Sequence, residues 1–154
     1  MSGAPQVLNG RCLCGTVTFT IRPPFRPILV CHCRQCARWT GHAVYATAVA
    51  PERFELASGG GDLAWVRASD TAARGFCRAC GSSLLWKPDS GTHISILAGS
   101  IDPPTGLTIA SHIFTAGKSD YYEIGGDAPC YAENPDAAPS SFLLRGEGQG
   151  EGLS

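Results

Sequence analysis

The chain has 154 residues, of which 44% are hydrophobic, and this length and composition suffice for one buried core but not for two independent domains. Its formal net charge of −1 provides no overall basic surface, which argues against nucleic acid or an anionic membrane as a partner. The first residues lack a basic and apolar leader, and no apolar run reaches the roughly 18 residues that span a bilayer. These features predict a cytoplasmic protein.

Short β-strands are the predicted elements, because 19 glycines and 11 prolines divide the chain and no helical apolar stripe is visible. Residues 17–21 alternate apolar and polar side chains and predict the first strand. A helical turn is predicted over residues 34–40, a strand over 43–49 and a second helical turn over 51–53. Further strands are expected at residues 54–56, 64–67, 74–76, 84–87, 93–97 and 107–114. This pattern predicts a mostly β, antiparallel fold with little helix.

One zinc-binding β domain is expected over residues 5–135. After Pro135 the sequence is rich in Ala, Pro and Ser, and it then alternates Gly with Glu or Gln from Gly146 onward. Such a segment has too little apolar surface to offset the entropy lost on ordering it. Residues 136–154 are therefore predicted to form a flexible tail.

Two cysteine pairs predict a closed zinc site. Thiols stay reduced in the cytoplasm, so closely spaced cysteines favour metal binding over disulfides. Cys12 and Cys14 project to the same side of an extended segment, and Cys77 and Cys80 have the CxxC spacing of a zinc knuckle. Four thiolates on one ion form a structural site, which would join the start of the domain to its middle.

The remaining cluster, Cys31, Cys33 and Cys36, predicts a second and more open zinc site. Three protein ligands leave one position for water or substrate, which is typical of catalytic zinc. Solvent is one candidate for the fourth ligand. The other candidates are Cys130, His32, His42, His93 and His112. His32 lies between two of the cysteines and is expected to point away from the ion if the segment is extended.

Two arginines follow the second cluster. Arg34 and Arg38 are four residues apart, which places them on one face of a helical turn. Guanidinium groups bind carboxylates well, and glutathione combines two carboxylates with a thiol that suits zinc. Arg34 and Arg38 are therefore candidate glutathione contacts, and the alternative is that they are solvated surface charges.

Each cysteine cluster lies in a longer recognisable segment: residues 10–19 around Cys12 and Cys14, residues 31–41 around the second cluster, and residues 76–84 around Cys77 and Cys80. Together these three segments resemble the glutathione-dependent formaldehyde-activating enzyme family, which includes centromere protein V. The resemblance extends from about Gly10 to about Asp127, since residues 112–122 also look like the closing segment of the family.

This resemblance implies an Mss-four-like β fold with two zinc ions. Cys12, Cys14, Cys77 and Cys80 match the structural ligands of the family, and Cys31, Cys33 and Cys36 match the ligands of its catalytic zinc. The implied activity is that of a carbon-sulfur lyase that adds glutathione to formaldehyde and gives S-(hydroxymethyl)glutathione.

The main hypothesis is therefore a zinc-dependent enzyme that acts on a small-molecule thiol and a small electrophile. One alternative is a non-catalytic, zinc-stabilised binding module, because a fold does not decide a function. Another is a redox or metal sensor, in which oxidation of the open cysteine cluster releases zinc.

Overall fold

Ten strands, one α-helix and three short 3-10 turns form the fold of residues 6–135, the part of the chain that the computed structural model describes. The strands are β1 (Leu8–Arg11), β2 (Thr18–Ile21), β3 (Ile28–Cys31), β4 (Val44–Val49), β5 (Phe54–Ser58), β6 (Leu63–Ser69), β7 (Ala72–Cys77), β8 (Ser83–Pro88), β9 (Ile94–Leu97) and β10 (Ile109–Ile113). The helix α1 is Arg34–Thr40, and the 3-10 turns are Pro51–Arg53, Ala98–Ser100 and Thr115–Gly117. The predicted tail over residues 136–154 lies outside the described residues, as does Pro5.

The mostly β prediction is confirmed, and both predicted helical turns are present. Two strands were not predicted. In β1, Asn9 and Gly10 are poor strand formers, and only the alternating burial of its four residues reveals a strand. Strand β3 is buried at all four positions, so it has no alternation that a sequence pattern can detect.

Seven strands form the larger sheet in the order β10-β3-β4-β9-β8-β7-β6, and β1, β2 and β5 form a smaller one. One pair departs from the predicted antiparallel arrangement, because β10 pairs with β3 in parallel. Parallel neighbours need a long crossover connection rather than a hairpin, and most of the domain lies between these two strands in sequence. Local sequence therefore carries no information on the direction of this pair.

The larger sheet is covered on both faces. One apolar cluster joins Phe19 and Ile21 of the smaller sheet to Val49 and Ile96 of the larger one. A second cluster contains Cys36 of α1 together with Val44, Ala46 and other residues of the larger sheet. Since Val44 and Val49 point in opposite directions along β4, α1 and the smaller sheet lie on opposite faces.

Replacing Gly10 by alanine is expected to destabilise the domain, because an added Cβ would lie 2.3 Å from Cζ of Phe19 and 2.6 Å from the Ser100 carbonyl oxygen. Overpacking of this kind costs about 1–3 kcal/mol of unfolding free energy. Gly61→Ala is the matched control, since nothing lies within 4 Å of its added Cβ. Chemical denaturation measures both variants, and equal midpoints for the two would contradict the close packing at Gly10.

Candidate metal centres and a neighbouring cavity

The loops after β1 and β7 bring four cysteines together. The Sγ atoms of Cys12, Cys14, Cys77 and Cys80 all lie within 4.8 Å of one another. The Sγ atom of Cys14 is 3.6 Å from that of Cys12 and 3.9 Å from that of Cys77. A tetrahedral zinc ion with sulfur ligands at about 2.3 Å holds its sulfurs about 3.8 Å apart, so this donor set fits one closed zinc site.

Two matching turns hold these cysteines in place. Gly15 and Gly81 have φ angles of 83° and 84°, a region that favours glycine, and each backbone N–H bonds back to the first cysteine of its pair. The Ser82 hydroxyl links the two loops, because it accepts from the Leu13 N–H at 2.9 Å and lies 3.2 Å from Sγ of Cys80. Hydrogen bonds from Ser82 and from backbone N–H groups lower the pKa of Cys80 to about 5, which favours the thiolate that binds metal.

The second cysteine group forms where β3 ends and α1 begins. The Sγ atoms of Cys31, Cys33 and Cys36 lie within 4.8 Å of one another, with Cys31 and Cys36 buried and Cys33 partly exposed. Cys33 is the N-cap of α1, and its Sγ accepts a hydrogen bond from the Cys36 N–H at 3.3 Å. Hydrogen bonds from Cys31 and Cys36 lower the pKa of Cys33, so the most accessible thiol of the group is also the one most readily ionised.

Among residues 6–135, no histidine, carboxylate or further cysteine joins this second group. Nδ1 of His32 lies 2.6 Å from the Tyr122 hydroxyl oxygen, and Nε2 of His32 lies 3.0 Å from Nδ1 of His112. Both ring nitrogens of His32 are therefore engaged away from the cysteines. His42 bonds to the Tyr121 hydroxyl. The remaining candidates, Cys130 and His93, are exposed and buried respectively, and neither contributes a ligand atom. A metal ion held here keeps one position for another ligand.

Both predicted arginine contacts lie on the surface of α1. Arg34 is exposed, and its Nη1 donates a hydrogen bond to the Ser119 hydroxyl at 2.8 Å. Arg38 is also exposed, near the C-terminal end of the helix.

A cavity of about 760 Å³ lies between the four-cysteine loops and the end of α1. Its wall contains Val44, which pairs with Cys31 across β3 and β4 and packs in the same apolar cluster as Cys31 and Cys36. Arg11 and Asp102 supply one positive and one negative side chain, and Trp39 supplies an aromatic surface. This size and mixed lining suit a small zwitterionic molecule. Neither Arg34 nor Arg38 lines the cavity.

Sequence reasoning missed Arg74, which is buried in β7 with 4% of its surface exposed. Its Nη2 donates to Oε1 of Gln35 at 3.2 Å, and its guanidinium carbon lies 4.7 Å from the centre of the Trp39 ring. The sequence signal for this residue is its position in a predicted strand, between the small residues Ala73 and Gly75. An arginine that is buried in a strand usually has a specific partner.

Two comparisons with known proteins give a match. The family model described as glutathione-dependent formaldehyde-activating enzyme matches residues 7–117, and it ends before the predicted limit near Asp127. A crystal structure of a Rhodobacter sphaeroides protein superposes with a TM-score of 0.55 at 21% sequence identity, covering 66% of this chain and 97% of the other.

No curated protein matches the sequence. Within the described residues, no helix is long and apolar enough to cross a membrane. The family model covers well over half of the chain and includes both cysteine groups. The chain therefore belongs to the glutathione-dependent formaldehyde-activating enzyme family.

Proposed function

We propose that this chain binds two zinc ions and adds glutathione, or a related thiol, to formaldehyde or another small electrophile in a reducing, cytoplasmic environment. The observation that carries this proposal is the three-cysteine group, which has no fourth protein ligand among the described residues, in a member of this family. Its helix α1 also supplies Trp39 to the wall of the cavity of mixed lining. Cys12, Cys14, Cys77 and Cys80 would hold a structural zinc ion. Cys31, Cys33 and Cys36 would hold the zinc ion at which the reaction occurs.

A zinc ion held by the three cysteines supplies a Lewis acid that can bind a thiolate or polarise an aldehyde oxygen. In the addition, the thiol sulfur forms a bond to the formaldehyde carbon, and the proton lost from sulfur ends on the former carbonyl oxygen. No electrons are gained or lost overall, so no further cofactor is needed. The reaction gives S-(hydroxymethyl)glutathione and is that of a carbon-sulfur lyase in its reverse direction.

The cavity is the proposed place for glutathione. The Arg11 guanidinium suits one of its two carboxylates, and the Asp102 carboxylate suits its ammonium group. Holding the thiol beside the reacting centre removes part of the entropic barrier of a two-molecule addition. Arg34 and Arg38 are the competing carboxylate contacts, on the exposed face of α1.

The test is glutathione-dependent consumption of formaldehyde, measured against the uncatalysed blank. Arg11→Gln is expected to raise KM for glutathione about tenfold or more, because a hydrogen bond to a charged group is worth about 1.5–3 kcal/mol. Arg38→Gln removes the same charge outside the cavity and is the matched control.

If Arg38→Gln raises KM and Arg11→Gln does not, glutathione binds along α1 instead of in the cavity. A wild-type rate equal to the blank would overturn the proposed activity. The non-catalytic binding module would then explain the fold better.

A further inference from the structure

Arg74 is a buried positive charge that faces the helix of the three-cysteine group. It contacts Gln35 and Trp39, which both lie on α1. Gln35 immediately precedes Cys36, and Trp39 follows Gln35 by one helical turn. Trp39, whose ring covers the guanidinium, is also one of the residues that line the cavity. Arg74 is therefore held between the cavity wall and the segment that carries Cys36.

The charge of a zinc-loaded three-cysteine group would favour a cation beside it. Three thiolates on one dication leave a net charge of −1, and a fourth thiolate ligand raises this to −2. Cys31 and Cys36 are buried, with 0% and 1% of their surfaces exposed, so water does not solvate this charge well. A nearby opposite charge offsets part of the cost of burying a negative centre.

Sheet geometry agrees with this placement. Arg74 and Ala72 are two residues apart in β7 and therefore project from the same face of the sheet. Ala72 packs in the same apolar cluster as Cys31 and Cys36, so Arg74 lies on the face that carries the three-cysteine group.

We propose that Arg74 is the fixed counter-charge of the three-cysteine centre, and that Gln35 and Trp39 hold its guanidinium so that the centre binds zinc and then a fourth, anionic thiolate ligand. This inference rests on the proposed function, because the zinc ion and the thiolate ligand are taken from it. Arg74 acts through the cysteines and is a positioning residue.

Among residues 6–135, one further arginine is buried, and it does not contact α1 through a bond of this kind. Arg26 is 1% exposed, and its Nη2 donates to the backbone carbonyl of Ala46. This hydrogen bond is made to a backbone carbonyl group of β4, and it involves neither α1 nor a cysteine. Burial alone therefore does not place an arginine at the metal centre. Arg74 is distinguished from Arg26 by its contacts with Gln35 and Trp39 of α1.

The test measures metal affinity in the absence of glutathione and formaldehyde, by competition between the purified full chain and a chromophoric chelator for zinc. In Arg74→Met, the zinc affinity of the weaker of the two sites is expected to fall about 10–100-fold. This is the range seen when groups that support metal ligands are removed. The tighter site should be unchanged. Arg74→Lys restores the charge without the planar group and should recover most of the affinity.

A second measurement uses Co²⁺ in place of zinc. Titration with glutathione should change the thiolate-to-metal absorption of the wild-type protein at lower glutathione concentrations than in Arg74→Met. Arg67→Met is the matched control on the neighbouring strand, where the arginine is exposed and paired with Asp89 at 2.7 Å. It should behave as wild type in both measurements.

Trp39→Leu keeps the charge of Arg74 but removes the aromatic ring that covers it. This variant replaces Arg74→Met in the test if Arg74→Met does not fold. We expect a smaller loss of zinc affinity than for Arg74→Met, with the same site affected. The inference is wrong if Arg74→Met binds both ions as tightly as wild type, or if Arg74→Lys loses as much affinity as Arg74→Met. It is also wrong, in the absence of a folded Arg74→Met, if Trp39→Leu retains full affinity. A wild-type chain that binds only one zinc ion would instead overturn the proposed function.

Discussion

Replacing Cys80 by serine is expected to unfold the domain. The four-cysteine group joins the loop after β1 to the loop after β7, and Cys12 and Cys77 belong to the apolar cluster between the two sheets. Binding of a structural zinc ion contributes about 10–16 kcal/mol, whereas a whole domain has only about 5–15 kcal/mol of net stability. Serine is a poor zinc ligand of nearly the same size, so the change removes metal affinity without overpacking the loop.

Thermal unfolding followed by circular dichroism, together with metal analysis, checks this expectation. Cys130→Ser is the matched control, because Cys130 is exposed and lies outside both cysteine groups. The control should melt as wild type and retain both zinc ions, and Cys80→Ser should show no cooperative transition at the same temperature. Equal melting temperatures for the two variants would rule out a structural role for the four-cysteine group.

The cysteine groups were predictable from sequence because their ligand spacings are local. CxC and CxxC place sulfurs near one another wherever the loop lies in the fold, and the structure brings together the two sets that this reasoning predicted. Pairing Cys12 and Cys14 with Cys77 and Cys80 needed only a count of four ligands. The turns after both pairs carry glycines with positive φ.

The residues that could not be predicted depend on strand order. Arg74 reaches α1 only because β7 lies in the same sheet as β3 and β4, with β8 and β9 between them. The cavity likewise joins Arg11 of β1 to Trp39 of α1 and to Asp102, three positions with no local relation in sequence. The parallel pairing of β10 with β3 has the same origin. Long-range pairing decides these features, and a single sequence does not record it.

Replacing Cys33 by serine is expected to abolish activity while the fold survives, in contrast with Cys80→Ser. Cys33 has two roles, since its sulfur belongs to the open cysteine group and also caps α1 by accepting a hydrogen bond from the Cys36 N–H. Serine is a preferred N-cap residue but a poor zinc ligand, so Cys33→Ser removes the metal role and keeps the cap. The formaldehyde-consumption rate should fall to the blank, and the zinc content should fall by one ion.

Cys33→Ala is the control that separates these two roles. Alanine removes both the ligand and the cap, so it should match Cys33→Ser in activity and zinc content but lose a further 0.5–2 kcal/mol or so of stability. Chemical denaturation of the two variants measures this difference. If Cys33→Ser aggregates as Cys80→Ser does, both cysteine groups hold the fold together, and the division between a structural and a catalytic zinc is wrong. If it folds, retains both ions and loses activity, the sulfur of Cys33 acts on the substrate directly rather than through zinc.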